Sequence, residues 1–208
     1  MITVGLCGGS GSGKGIVSQI LSSYGFSIID TDAIYHSLTS KKSECLEALR
    51  LEFGDEIIKD GALCRPILAK IVFDAENAEE RRRKLNQISH AFVMKEVHKQ
   101  IDSYRKDGRE CCIVDIPLLY ETGFDKECDL TVAVIADKET RIKRIIARDG
   151  ISQKAAEQRV DSQIPNETLI ELSDTHITNM GDISLLDKEV CRIIELINKV
   201  KDIERIKK

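Results

Sequence analysis

Five glycines fall within eight consecutive residues near the amino terminus, and no other feature constrains the fold of this chain as strongly. Residues 2–16 read ITVGLCGGSGSGKGI: an apolar run, the glycines with Lys14 among them, and then a helical pattern of apolar residues. Glycine adopts backbone angles that other residues avoid, so successive N–H groups can turn inward around an anion at the positive end of the next helix. Lys14 adds a point charge for the outer phosphates. The stretch predicts a strand, a phosphate-binding loop and a helix rather than a glycine-rich surface turn.

The loop fits the pattern G-x-x-x-x-G-K-[ST] at every position but the last, where Gly15 stands in place of serine or threonine. The lysine argues against a dinucleotide-binding fingerprint, which has glycines at similar spacing but no lysine.

The composition narrows the class of protein. A length of 208 residues, a net charge of -4 and a pI near 5.7 predict one globular unit, and they give no reason to expect nucleic acid or a membrane as partner. Seven cysteines without a C-x-x-C pair suit reduced thiols, and four histidines without ligand spacing argue against a transition-metal site. The first strand begins at once and no apolar run approaches the length of a membrane span, so we expect a cytoplasmic protein.

Acidic residues follow two of the predicted strands. Residues 26–29 form a short apolar strand that leads into Asp30 and Asp32, and residues 111–116 form another that carries Asp115 near its end. Ligands of parallel α/β sheets collect at the carboxyl ends of the strands, so we expect these carboxylates to face the same crevice as the glycine loop. Asp32 is a catalytic candidate, although Asp32 or Thr31 could instead cap a helix that begins near Ala33. Asp115 occupies a position suited to holding magnesium beside phosphates, or it caps the strand.

The remaining pattern completes an α/β chain. The segment between the second and third strands is mostly helical and too long for one crossover, which predicts an inserted lobe. A fourth strand at 130–136 precedes a basic helix at 138–148, in which Arg144 and Arg148 share one face because they are four residues apart. A last strand at 175–178 and an apolar helical stripe near the carboxyl end pack the tail on the sheet.

On these residues the chain resembles the dephospho-coenzyme A kinase family almost from end to end. The matching segments are GLCGGSGSGK at 5–14, IIDTD at 28–32, DGALCR at 60–65, IPLLYETG at 116–123, RIKRIIARDG at 141–150, QIP at 163–165 and SDTHITNMG at 173–181. The resemblance implies transfer of the ATP γ-phosphate to the 3'-hydroxyl of dephospho-coenzyme A, the last step of coenzyme A biosynthesis. It implies a P-loop NTPase-type parallel sheet flanked by helices, with a core at about 1–32, 109–137 and 173–208, a helical substrate lobe at about 33–108 and a helical lid at about 138–165.

The resemblance also assigns roles to residues. It implies Asp32 as general base, with Lys14 and Arg144 as the other catalytic residues, and Mg2+ as cofactor with ATP, held in part by Asp115. The ATP-binding residues would be Gly9, Ser10, Gly11, Ser12, Gly13, Lys14, Gly15, Ile16, Arg148 and Asn179, the last of these at the adenine. The residues facing dephospho-coenzyme A would be Asp32, Arg65, Pro117 and Leu118.

Several positions depart from the family pattern. They are Gly15 for a hydroxyl residue, Ile16 for threonine, His36 for arginine, Ala91 for the proline after His90, and Leu169 for lysine. With Gly15 unable to ligate magnesium, we expect the ion to be held by Asp115, Asp32 or water and by ATP oxygens. Two alternatives stay open at this point: another small-molecule or nucleotide kinase of the P-loop class, which would not need the IPLLYETG segment, and a non-catalytic ATP-binding protein. The sequence leaves the oligomeric state open.

Overall fold

The computed structural model describes residues 1–73 and 77–206, without the side chains of 204–206. Residues 74–76 and 207–208, which fall in the predicted substrate lobe and core, lie outside it. The chain forms two compact units, one from Met1–Ile29 with Tyr104–Lys208 and the other from Asp30–Ser103. The predicted division into core, lobe and lid stays a prediction.

The elements alternate along the chain as an α/β sequence does. Within the described residues the strands are β1 (Ile2–Cys7), β2 (Ser27–Asp30), β3 (Ile58–Lys59), β4 (Ala62–Leu63), β5 (Cys111–Asp115), β6 (Leu130–Ile135) and β7 (Thr175–Thr178). The α-helices are α1 (Lys14–Ser23), α2 (Thr31–Thr39), α3 (Glu44–Phe53), α4 (Arg65–Phe73), α5 (Ala78–Lys106), α6 (Leu119–Thr122), α7 (Lys138–Asp149), α8 (Gln153–Asp161), α9 (Asn166–Leu172) and α10 (Ile183–Ile206). Two short 3-10 helices cover Asp55–Ile57 and Phe124–Glu127.

The strand before the glycine loop is the centre of a five-stranded sheet with the order β2-β5-β1-β6-β7. β1 runs parallel to both of its neighbours, and β6 runs parallel to β7. Every residue of β1 and β6 is buried, as expected for central strands whose two faces are both covered. Parallel pairing brings the carboxyl ends of these strands to one edge, where Leu6 lies beside Asp115 and Cys7 beside Ala133.

The core of the first unit joins the sheet to the first and last helices. Val17 and Leu21 of α1 and the stripe Val190, Ile193 and Ile197 of α10 pack on apolar residues of β1, β5, β6 and β7. The spacing of three and four residues in α10 places its apolar side chains on one face, so the predicted packing of the tail on the sheet is confirmed. A parallel sheet flanked by helices, predicted from the sequence, is likewise confirmed.

The second unit has a core of its own, formed by buried residues of α3, α4 and the short helix between them, including Leu49, Phe53 and Leu68. Helices dominate it, as predicted, but it also contains the antiparallel hairpin β3–β4 around the Asp60–Gly61 turn. The two strands were not predicted, because two-residue strands are too short to show an alternating pattern.

The helix after β2 begins earlier than predicted, at Thr31 rather than near Ala33. Its cap is Asp30, whose carboxylate accepts the Ala33 N–H at 2.9 Å. The alternative that Thr31 or Asp32 caps the helix is therefore wrong, and the side chain of Asp32, exposed in the first turn, is not used as a cap.

None of the helices in 1–73 and 77–206 combines the length and apolar character that a bilayer crossing requires. The cytoplasmic location stays a prediction.

Candidate active site

The glycine loop connects β1 to α1 as predicted, and its backbone turns on a left-handed residue. Gly13 precedes the first residue of α1 with φ 91° and ψ 18°, a conformation that suits glycine because it has no Cβ. The Gly13 carbonyl accepts the N–H groups of Ile16 and Val17 and so starts the helix. Lys14 is therefore the first helical residue, at the positive end of the helix dipole.

Lys14 pairs with Asp115, the last residue of β5. Both side chains are largely buried, with 14% and 7% of their surfaces exposed. The other carboxylate oxygen of Asp115 accepts from the Ser18 hydroxyl at 2.5 Å. The structure thus brings together two predicted site residues and adds Ser18, which the sequence analysis missed; its position one turn after Lys14 on the same face of α1 is the signal that could have revealed it.

Arg144 of α7 and Asn179, directly after β7, both contact the loop. The Arg144 guanidinium donates to the carbonyls of Gly11 at 3.1 Å and Ser12 at 3.3 Å, and to the Asn179 side-chain oxygen at 3.2 Å. The Asn179 amide nitrogen donates to the Ser12 carbonyl at 2.9 Å. Asn179 is buried, and its oxygen also accepts the Gly181 N–H. These contacts hold the carbonyls of Gly11 and Ser12 in place.

Arg148, predicted to share a face with Arg144, also reaches the loop. One of its guanidinium nitrogens donates to the Ser10 hydroxyl at 3.3 Å, and the same side chain forms an ion pair with Asp149 at 2.7 Å. Hydrogen bonding to Arg148, reinforced by Arg159, lowers the pKa of Asp149 to about 2. Asp149 thus anchors two arginines of α7 and α8 near the loop.

Arg141 and Gln163 contact the loop as well, and the sequence analysis assigned neither to the site. Arg141 is 3% exposed and donates to the Ser10 carbonyl at 3.0 Å and to the Gln163 side-chain oxygen at 2.6 Å. Burial lowers the pKa of this guanidinium. Helical spacing could have revealed Arg141, because it lies three and seven residues before Arg144 and Arg148 and so on the same face.

Two positions of the loop differ in the polar groups that they could offer a ligand: Gly15 has no side chain, and Ser12 has a hydroxyl group. A Cβ at Gly15 would have no atom within 4 Å beyond its chain neighbours, so the position has room for a side chain but supplies no oxygen. The Ser12 hydroxyl is buried and has no hydrogen-bond partner among the described residues. Ile16 is exposed in the first turn of α1. In the described part of the chain no group of three or more histidine, cysteine or acidic side chains could hold a metal ion by itself.

The other predicted acceptor residues lie in both units. Pro117 and Leu118 follow β5 in the first unit, and Leu118 is 40% exposed at the start of α6. Arg65 begins α4 in the second unit, with its guanidinium 5.9 Å from the centre of the Tyr35 ring. It lines a cleft of about 490 Å³ within that unit, together with His36, Lys59 and Cys64. Asp32 belongs to the same unit, and its side chain is exposed in the first turn of α2.

Comparison with known proteins agrees with this arrangement. A family model described as dephospho-CoA kinase matches residues 2–184. A dephospho-CoA kinase of Symbiobacterium thermophilum is 38% identical over 184 residues, which are 88% of this chain and 76% of that protein. A second dephospho-CoA kinase, from Fusobacterium nucleatum, is 38% identical over 95% of this chain and 99% of its own length.

A solved structure gives the same result for the fold. The dephospho-CoA kinase from Campylobacter jejuni superposes with a TM-score of 0.69 and 27% identity, over 95% of this chain and 97% of that one. The two alternative functions, another P-loop kinase and a non-catalytic binder, are not favoured by these matches. From its glycine loop to the buried asparagine after β7, this chain belongs to the dephospho-CoA kinase family.

Proposed function

We propose that this chain transfers the γ-phosphoryl group of ATP to the 3'-hydroxyl of dephospho-CoA, which yields CoA and ADP in the last step of coenzyme A biosynthesis. The family match over residues 2–184 carries the proposal. The phosphate-binding loop, with Lys14 at the start of α1 and Asp115 beside it, supports it, because any ATP-dependent kinase needs such a site.

Phosphoryl transfer depends mainly on positioning and on neutralising charge. In our proposal backbone N–H groups within residues 9–16 hold the β- and γ-phosphates, apart from those of Ser10, Ser12 and Ile16, which donate to oxygens of the protein. The Lys14 ammonium follows the charge onto the transferring group. Arg144 and Arg148 supply two further cations in contact with the loop. Closure of these arginines over the phosphates would exclude water that could otherwise hydrolyse ATP.

We assign the role of general base to Asp32, which would take the proton from the 3'-hydroxyl as that oxygen attacks phosphorus. Its carboxylate is exposed and is not used by the helix cap, which Asp30 supplies. Arg65, Pro117 and Leu118 would contact the acceptor, and Asn179 the adenine of ATP. The Asn179 side chain also holds Arg144, so its replacement would affect the phosphates as well as the base.

Magnesium would accompany ATP, and the residues present fit this cofactor. Asp115 offers a carboxylate at the end of β5, and accepting from Lys14 and Ser18 does not exclude a metal-bound water because a carboxylate has about four lone-pair sites. The ion usually keeps several waters and takes one or two carboxylates with substrate phosphates, so it needs no cage of protein ligands. When bound it would neutralise charge on the phosphate oxygens.

The decisive experiment follows both products. Purified protein is mixed with ATP, magnesium and dephospho-CoA, and ADP and CoA are measured together for wild type, Asp32→Asn and Asp30→Asn. We expect CoA to form in step with ADP, and Asp32→Asn to lose about 10²–10⁴-fold in rate. Asp30→Asn is the matched control, since asparagine caps a helix as well as aspartate does, and it should keep most of the activity.

Formation of ADP without CoA, or ATP binding without either product, would refute the proposed reaction. An Asp32→Asn variant as active as Asp30→Asn would refute the assignment of the base.

The magnesium assignment has its own test in Gly15→Ser. The open space around Gly15 accommodates a hydroxymethyl group, which restores the oxygen ligand of the motif. We expect the magnesium concentration at half-maximal rate to fall, with Gly15→Ala unchanged as the control for bulk. An identical magnesium titration for the two variants would contradict this account.

A further inference from the structure

Arg141 is a buried cation without an acidic partner. Its side chain is 3% exposed, and it donates to two neutral oxygens, the Ser10 carbonyl and the Gln163 amide. No carboxylate contacts it within residues 1–73 and 77–206. The charge of Asp161 acts on the Arg141 guanidinium from a distance. The Asp161 carboxylate is exposed and forms an ion pair with Lys138 at 2.5 Å. Burying a charge is costly unless it is paired, so a bound anion near this guanidinium would be stabilised.

The same side chain determines the shape of the phosphate-binding loop. The Arg141 guanidinium donates to the Ser10 carbonyl, and the Gln163 side-chain oxygen accepts the Ser10 N–H at 3.0 Å. The two side chains are joined to each other, so together they hold both polar groups of residue 10. A Cβ at Gly9 would lie 2.2 Å from the Arg141 guanidinium, and a Cβ at Gly11 would lie 2.6 Å from the Arg141 carbonyl. At Gly9 and Gly11 the loop therefore lies so close to Arg141 that a larger residue would clash with it.

We infer that Arg141 is a further positioning residue for the nucleotide: with Gln163 it holds the Ser10 peptide, and its uncompensated positive charge stabilises a polyphosphate bound in the glycine loop. This inference rests on the proposed function, because it takes the loop's ligand to be ATP. The neutral character of Gln163 is essential, since a carboxylate in its place would hold the same atoms while cancelling the charge.

Charge and shape can be separated with substitutions at these two positions. Gln163→Glu keeps the size and the acceptor oxygens but adds a negative charge against Arg141, whereas Arg141→Gln removes the cation. Arg141→Lys keeps the charge with a different donor geometry. Lys143→Gln on the exposed face of α7 is the matched control for losing one positive charge.

The measurements are the Kd for MgATP at low and high salt, KM for each substrate, kcat, and the thermal midpoint without nucleotide. We expect Gln163→Glu and Arg141→Gln to weaken ATP binding about tenfold at low salt. KM for dephospho-CoA should stay within twofold, and Arg141→Lys should recover most of the affinity. Gln163→Glu should have a thermal midpoint at least as high as that of the wild type, because the buried guanidinium then has a carboxylate partner. Higher stability together with weaker ATP binding is a combination that a purely structural role cannot produce.

The inference is overturned if Gln163→Glu and Arg141→Gln bind ATP as Lys143→Gln does, or if they raise KM for both substrates equally along with a lower thermal midpoint. A wild-type protein that fails to bind ATP would overturn both this inference and the proposed function. A wild type that binds ATP and phosphorylates dephospho-CoA while these variants behave like the control would overturn the inference alone.

Discussion

Replacement of Gly13 by alanine tests how the loop is held. Gly13 has φ 91°, and a left-handed conformation costs an alanine about 1–2 kcal/mol. A Cβ at this position would lie 2.0 Å from the Asn179 amide nitrogen, so one of the two groups has to move. Such overpacking typically costs about 1–3 kcal/mol. Displacing the amide also breaks its hydrogen bond to the Ser12 carbonyl, a further loss of about 0.5–1.5 kcal/mol.

Together these effects predict a loss of about 2.5–6.5 kcal/mol in the free energy of unfolding, a large part of the stability of a domain. Gly15→Ala is the matched control two residues away. Its new methyl group meets no atom within 4 Å and the position is helical, so we expect a small gain of about 0.4–1 kcal/mol because the unfolded chain loses freedom.

Urea unfolding without nucleotide, followed by circular dichroism, measures both variants against the wild type. The predicted changes have opposite signs. If the two variants unfold within about 1 kcal/mol of each other, the close approach of Gly13 and Asn179 does not constrain the loop and the reasoning fails.

Further predictions concern charge, the second core and the loop interior. The carboxylate of Asp149 has a pKa lowered from 3.8 to about 2, chiefly by Arg148, so the stability it contributes is present above pH 3.8 and lost as the pH falls through 2. The difference in unfolding free energy between wild type and Asp149→Asn should therefore vanish over that pH range, and a constant difference would contradict this. Leu49→Ala, at a fully buried position, should cost about 2–5 kcal/mol in urea unfolding, whereas Leu51→Ala, at a position 73% exposed, should change stability by less than about 0.5 kcal/mol; equal effects would refute the assignment of this core. Ser12→Ala removes a buried hydroxyl that has no hydrogen-bond partner in the described part of the chain, so it should raise the urea midpoint of the nucleotide-free protein. A lower midpoint would show that this hydroxyl is satisfied.

Much of the fold could be predicted because its signals are local. Strands such as β1 and β6 are continuous apolar runs, and α10 carries its apolar residues at helical spacing. The errors fell where the local signal is weak or ambiguous. Three consecutive polar residues, from the last residue of β2 onward, all suit a cap, and only the backbone geometry selects Asp30.

The residues of the candidate site likewise fall into those that a local sequence pattern reveals and those that it does not. The glycine loop and Lys14 could be recognised from sequence because a left-handed turn before a helix requires glycine whatever surrounds it. The resemblance to a known family extended this to Arg144 and Asn179, which the structure places against the loop. Nothing local indicated that Gln163 would accept the Ser10 N–H from 153 positions away.

The sequence by itself determined that this chain forms a parallel α/β sheet with a glycine loop at the carboxyl end of its first strand. Both follow from apolar periodicity and from the backbone freedom of glycine, which are properties of adjacent residues. The tertiary structure alone decided which side chains hold that loop. The order β5-β1-β6-β7 brings Asp115, Arg141 and Asn179 to one edge of the sheet, and contacts between segments so far apart depend on strand order and helix packing rather than on any local pattern.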